Sequence, residues 1–228
     1  SALGATADAS SAYARSKAAG EIVLREAFPN ASILRPGVMF GTEDNFFNKF
    51  GALARISPVL PLFCVIRQNP KFHLEGLYLV PEIEAGTTRM QPVFVEDVAE
   101  AMARIIGQTG NESAGKTYEL GGPNIYSFRQ LMEFVAKETQ YKRLLVPVPY
   151  FVADMIGFFA QFMPEPMFTA DQAKMLRDDN LVGEGTLTLS DLGISASPAE
   201  LILPTYMHRF RRARTDSCVA VPVHSRLS

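Results

Sequence analysis

A helix that runs straight into a short buried strand constrains this chain more than any other feature. Ser10 or Ser11 is suited to cap a helix that continues to about Phe28, and Pro29-Asn30 is suited to end it. Ile33 and Leu34 follow at once, and their apolar run stops at Arg35-Pro36-Gly37, which reads as a short parallel strand closed by a turn. The order recurs downstream. Gln91 to Val95 reads as a strand leading into a helix to about Ile106, and Thr117 to Leu120 as a strand that ends at Gly121-Gly122-Pro123. Ser127 then caps a helix from Phe128 to Thr139 whose Leu131, Phe134 and Val135 face inward. Short strands alternating with helices predict an α/β chain.

Two residues of the first helix carry chemistry. Tyr13 and Lys17 stand four apart, so a helix places both on one face, one turn from each other. A lysine ammonium beside a phenol stabilises the phenolate, so the pair can pass a proton to or from a substrate oxygen, and the lysine can also grip a ribose. The same spacing serves a tyrosine that covers a core and a lysine that meets water, so context has to choose. Gly20 and Leu24 continue the stripe, and Gly20 is expected to let it approach a sheet closely.

Composition excludes several classes. The 228 residues carry a net charge of -2 and no basic stretch interleaved with aromatics, which argues against nucleic-acid binding. The cationic cluster Arg209, Arg211, Arg212 and Arg214 stands apart near the C-terminus. Cys64 and Cys218, like His73, His208 and His224, are too scattered for a ligand spacing, so no metal site is expected. No apolar run reaches bilayer length. The nearest, Tyr150 to Met163, is interrupted by Asp154 and Gln161, and its Phe151, Met155, Phe158, Phe159 and Phe162 are suited to core packing or to a membrane-embedded partner.

Between these landmarks, Thr42 or Asp44 is expected to cap a helix from Asn45 to Arg55, with Phe46, Phe47 and Phe50 as packing bulk. Ser57 to Leu62 reads as loop, and Cys64 to Met90 as an inserted excursion with a strand at Leu77 to Val80. Asp97 reads as a helix N-cap rather than a catalytic acid. Leu144 to Val148 is a further strand, Thr169 to Leu176 a helix, and Ser197-Pro198 the start of the last helix.

Ser1-Ala2-Leu3-Gly4-Ala5, the Ser11 to Gly20 helix, Ile33-Leu34-Arg35-Pro36, Phe40-Gly41 with Glu43-Asp44, Gln91-Pro92-Val93 with Asp97-Val98, and Ser190-Asp191-Leu192-Gly193-Ile194 occur in that order. This series resembles the second half of an extended short-chain dehydrogenase/reductase. It is similar in particular to the nucleotide-binding accessory subunits of mitochondrial respiratory complex I, NADH:ubiquinone oxidoreductase. No G-x-G-x-x-G turn is present in the chain, so the βαβ units that would carry the pyrophosphate are expected to precede Ser1, about ninety residues of them.

The resemblance implies a Rossmann-like parallel sheet over 1–126 with an insertion at about 64–90, a smaller, mainly helical substrate-side lobe over 127–214, and a tail at 215–228. It implies NADPH as cofactor, with Tyr13 and Lys17 on the nicotinamide ribose, Pro36, Gly37 and Val38 as the nicotinamide-side loop, and Ser1 near the carboxamide. It further implies a non-catalytic subunit that supports assembly and stability of the peripheral arm, on the matrix side of the mitochondrial inner membrane, near the quinone and membrane junction and among other complex I subunits. The alternative is a stand-alone NAD(P)-dependent epimerase or reductase acting on a sugar or carbonyl, with Tyr13 as acid/base, Lys17 as its activator and Ser1 as the carbonyl's orienting group. A degenerate module that binds no nucleotide is the third.

Overall fold

The computed structural model describes residues 1–73, 76–108, 110–160 and 169–211, with backbone alone over 65–83 and at 159–160. In chain order the elements are α1 (Ala12–Ala27), β1 (Ile33–Pro36), β2 (Met39–Phe40), α2 (Phe47–Ile56), β3 (Val59–His73), β4 (Gly76–Ala85), β5 (Arg89–Met90), β6 (Val93–Phe94), α3 (Val95–Gly107) and β7 (Thr117–Leu120). They continue with β8 (Tyr126–Ser127), α4 (Phe128–Thr139), β9 (Leu144–Pro149), α5 (Tyr150–Ala160), α6 (Ala170–Met175) and α7 (Ala199–Met207).

The strand after the first helix is parallel, as expected. β1 pairs with β7 in the register Ile33 to Thr117, and β2 pairs with β6, also parallel. Among the described residues no strand pairs with the other side of β1. Among the described residues the strands form four small groups in place of one continuous sheet, with breaks at Gly37-Val38 between β1 and β2 and at Gln91-Pro92 between β5 and β6. A large core joins α2, α4 and α7 through Phe47, Leu131, Met132, Val135, Leu203 and Met207. A second lies beneath α3, around Val93, Val98, Tyr118 and Leu120.

The loop expected at Ser57 to Leu62 is instead the first part of β3. Two prolines, Pro58 and Pro61, concealed it, and the topology explains why Pro61 is tolerated. Residues 59–63 of β3 pair only with β9 and residues 65–73 only with β4, with Cys64 paired to both, so each half is an edge on one side and a missing N–H need not break a ladder. The excursion is therefore an antiparallel hairpin, and Leu77 to Val80 lies within β4.

Three other expectations shift. The stripe of Tyr13, Gly20 and Leu24 does not rest on a sheet: Tyr13 is 42% exposed, Gly20 has no atom within 4 Å of where a Cβ would stand, and α1 buries Ala18 and Glu21 instead. The rotation follows Arg35, which reaches from β1 to Glu21. α2 begins at Phe47 rather than Asn45, with Asp44 Oδ1 accepting from the Asn48 amide. Asp97 is not an N-cap; it lies inside the first turn of α3, and its carboxylate accepts from the Ser197 amide at 2.7 Å and hydroxyl at 2.9 Å. Ser197 is thereby diverted from capping, and α7 starts at Ala199 behind Pro198.

Other local signals are realised as read. Ser127 caps α4, the helix expected from Thr169 is α6, and Leu131 and Val135 are buried; the structure adds that Gln130 and Gln172 complete reciprocal capping boxes with Ser127 and Thr169. Phe46, Phe47 and Phe50 join an edge-to-face cluster with Phe128. The tail expected at 215–228, with Cys218 and His224, lies outside the described residues, as does Phe162.

Candidate functional site

A cleft of about 1180 Å³ opens at the carboxyl ends of β1 and β2, where open α/β sheets hold their ligands. Tyr13, Pro36, Gly37 and Val38 all line it. Lys17 is not in its wall but lies one turn along α1, its Nζ 5.3 Å from the Tyr13 ring centroid. The two side chains thus share a face at the cleft's edge. Ser1 turns elsewhere: its hydroxyl donates to Glu21, and Ala2 and Leu3 line the cleft in its place.

The Pro36–Val38 turn is held from three directions. Gly37 donates to Leu120 C=O at 2.9 Å, Val38 donates to Asn180 Oδ1 at 3.2 Å, and Val93 donates to Val38 C=O at 3.0 Å. Gly37 is needed for close approach, since a Cβ there would lie 2.7 Å from the Gln91 carbonyl oxygen. Asn180 is itself locked, donating to Arg89 C=O and accepting from the Gln91 amide.

α1 is anchored at both ends of its exposed amide row. Ser11 Oγ accepts from the Ala14 amide, and both carboxylate oxygens of Asp171 accept from Ala12 (2.7 Å) and Tyr13 (2.9 Å). An anion at a helix N-terminus also meets the positive end of the dipole. Because Asp171 belongs to α6, on the opposite wall, this contact closes one end of the cleft. Asp171→Ala is expected to cost about 1 kcal/mol of local stability, the usual scale for a lost cap. Hydrogen exchange at Ala12 and Tyr13 should accelerate about fivefold, and protection equal to the parent's would remove Asp171 from this role.

Glu21, Arg35 and Glu119 tie α1 to β1 and β7. Arg35 donates through Nε and one NH2 to both oxygens of Glu21 (2.8 and 2.7 Å), and through its other nitrogen to Glu119 at 3.3 Å. Burial would push the Glu21 carboxyl up, but the bonds from Arg35 and Ser1, with the Arg35 charge, outweigh it and hold the group below its ordinary value.

The rest of the wall is largely apolar, and its charges are one-sided. Glu43, Asp44, Glu96 and Asp171 line the cleft against a single ammonium, Lys49. Asp44 accepts from Tyr206 OH at 2.7 Å, and burial, with that bond, pushes the Tyr206 phenol well above its usual range, so it remains a donor. Among the described residues no group of three or more His, Cys, Asp or Glu could hold a metal ion.

Of the residues named from sequence, Tyr13 and Pro36–Val38 line the cleft, Lys17 lies at its edge and Ser1 turns away, while Asn180, Asp171 and the apolar wall were not named. Asp171 does follow Thr169 in a capping-box pattern, but nothing in that signal says whose amides its carboxylate meets.

These features define a class: an α/β chain with the architecture of the NAD-dependent epimerases and dehydratases. It superposes over 87% of its length on half of a dTDP-glucose 4,6-dehydratase from Streptomyces venezuelae, solved with NAD bound (TM-score 0.54, 16% identity). It also matches 52% of a UDP-glucose 4-epimerase from Thermotoga maritima, solved with UDP-glucose, over 87% of its own length (TM-score 0.53, 15% identity). No family model matches.

Sequence similarity is more specific. The chain is similar to proteins described as the mitochondrial NADH dehydrogenase [ubiquinone] 1 alpha subcomplex subunit 9. It is 33% identical to the Arabidopsis thaliana protein over 203 residues, which is 85% of this chain and 45% of that protein. The Rattus norvegicus protein is 33% identical over 93% of this chain and 51% of its own length, and the Dictyostelium discoideum protein 28% identical over 97% and 57%. The chain therefore spans about half the length of the curated relatives it matches.

Proposed function

We propose that this chain works as an accessory, non-catalytic part of respiratory complex I, holding the nicotinamide-ribose end of a tightly bound NADPH and supporting assembly and stability of the peripheral arm. The carrying observation is the convergence of Tyr13, Lys17 and Pro36–Val38 at one edge of the cleft, in a homologue of a complex I subunit. The residues present suit a ribose and a nicotinamide ring: a phenol and an ammonium for hydroxyls, and a glycine turn that lets backbone approach a flat ring. They do not suit a pyrophosphate, for which the chain has no glycine-rich turn and whose charge the cleft's carboxylates would oppose. When bound, NADPH would supply hydride chemistry, but the assembly reading asks only that it be held. The substrate-side lobe at 127–214 then serves as the wall of the site opposite the portion at 1–126.

Surface chemistry supports a life among partners. On α5, Phe151 is 69% exposed, and Met155 and Phe158 are exposed beside it. On α1, Ile22 and Val23 are exposed, and Phe28, the residue that caps its C-terminus, is 66% exposed. Exposed apolar side chains grouped on these segments are suited to protein or membrane contacts. No described helix is long and apolar enough to cross a membrane. Location on the matrix side of the inner membrane, near the quinone and membrane junction, belongs to this proposal.

Affinity-tagged protein should comigrate with a large membrane complex in a native gel. Lys17→Met is expected to lower the NADPH recovered with that complex about tenfold, the effect of losing one charge-assisted hydrogen bond. Tyr13→Phe should leave respiratory electron transfer nearly unchanged. Tyr13 on the cleft wall also suits the stand-alone epimerase or reductase, and a free particle that turns over a sugar or carbonyl with NAD(P) and loses that activity in Tyr13→Phe would establish it instead.

A further inference from the structure

Beyond the Tyr13 end, the cleft is built for a different molecule. Phe50 and Leu53 of α2, Phe63 of β3, Val148 of β9, Ile156 of α5 and Met175 of α6 converge on one space from five elements. The whole cleft, the Tyr13 end included, has a volume of about 1180 Å³, more than one drug-sized ligand requires. A nucleotide sugar, the kind of ligand named with the UDP-glucose epimerase, brings a diphosphate that needs cations or a row of amides. Here four carboxylates line the walls and Lys49 is the single lysine or arginine among the described lining residues. Asp44 and Asp171 are already committed as acceptors for protein donors, and Glu43 and Glu96 are exposed. An anionic head would be repelled, and a sugar would meet mostly apolar side chains at this end.

We infer that the apolar part of this cleft takes an uncharged, largely hydrocarbon molecule of the neutral acyl-lipid class. Burial of chain methylenes against this wall supplies the affinity, and the carboxylates select against a fatty-acid carboxylate or a diphosphate at this end. The inference goes beyond the NADPH reading, because it concerns this apolar wall and not Tyr13 and Lys17, although one cleft holds both.

The test uses the tagged protein in its native assembly and a diazirine analogue of 1-monoolein. After irradiation and digestion, adducts are expected on peptides covering 47–56 and 169–176. Unlabelled monoolein should compete, palmitate should compete about tenfold less well because its carboxylate meets the acidic wall, and excess UDP-glucose should have no effect. Met175→Glu places a charge in the wall at a partly exposed position and should lower labelling of those peptides about tenfold. Adducts confined to other surfaces, displacement by UDP-glucose, palmitate competing as well as monoolein, or full labelling of Met175→Glu would each overturn the inference. Loss of NADPH in Lys17→Met, with labelling intact, separates it from the proposed function.

Discussion

Arg35→Leu is expected to destabilise the protein by about 2–3 kcal/mol and to lower its melting temperature by roughly 5–10 °C. The size follows from what the substitution leaves behind. Glu21 has a side chain only 9% exposed and takes two parallel hydrogen bonds from Arg35, whose own side chain is 24% exposed. Without the guanidinium, a nearly buried carboxylate keeps only the Ser1 hydroxyl. Replacing both partners, as in Arg35→Leu with Glu21→Leu, should recover most of the loss, since the desolvation of both ions is then avoided.

The pH dependence has a definite sign. Glu21 has a folded-state value depressed below its ordinary 4.5, so its contribution is fully present above 4.5 and is lost as pH falls through the lower folded value. The gap between parent and Arg35→Leu should therefore be widest near neutrality and close in acid. Denaturation curves at pH 7 and pH 4 measure it. A gap that stays constant, or widens in acid, would show that the ion pair does not carry the effect.

Gly122→Ala is expected to cost about 3 kcal/mol or more. A Cβ on Gly122 would stand 2.1 Å from the Pro92 carbonyl oxygen and 3.3 Å from its carbon. Both groups are backbone, so no rotamer can relieve the contact. The turn after β7 would have to move off the strand leading to β6, and the bond from Gln91 Nε2 to Gly122 C=O at 2.8 Å would go with it. Gly20→Ala is the internal control. Nothing stands near its Cβ position and it lies in a helix, so it should stabilise by about 0.5–1 kcal/mol. Equal effects at the two positions in urea denaturation would refute this account.

The clash at Gly122 was not legible in the chain. Gly121-Gly122-Pro123 announces a turn, and any glycine pair ahead of a proline would announce it equally. That Pro92 crosses within van der Waals range of it depends on two strands meeting. Asp97 teaches the same lesson from the other side. Its position ahead of an apolar helix is a fair N-cap signal, yet its carboxylate serves Ser197, a hundred residues away. The hairpin of β3 and β4 was obscured for a different reason, since proline statistics describe central strands and β3 changes edge partway along.

Features that depend on a few neighbouring residues were present in the sequence itself: the helix from Ser11, the short strand ending at Pro36-Gly37, the cap at Ser127, and the shared face of Tyr13 and Lys17. Each is governed by backbone geometry and spacing within one or two turns, which a linear chain displays directly. Which atoms close the cleft was decided only in three dimensions. Asp171 on the α1 amides, Asn180 on Val38, and Arg35 on Glu21 join elements whose separation in sequence has no periodic signature. The apolar wall likewise exists only where five elements converge, because burial is a property of packing rather than of order along the chain.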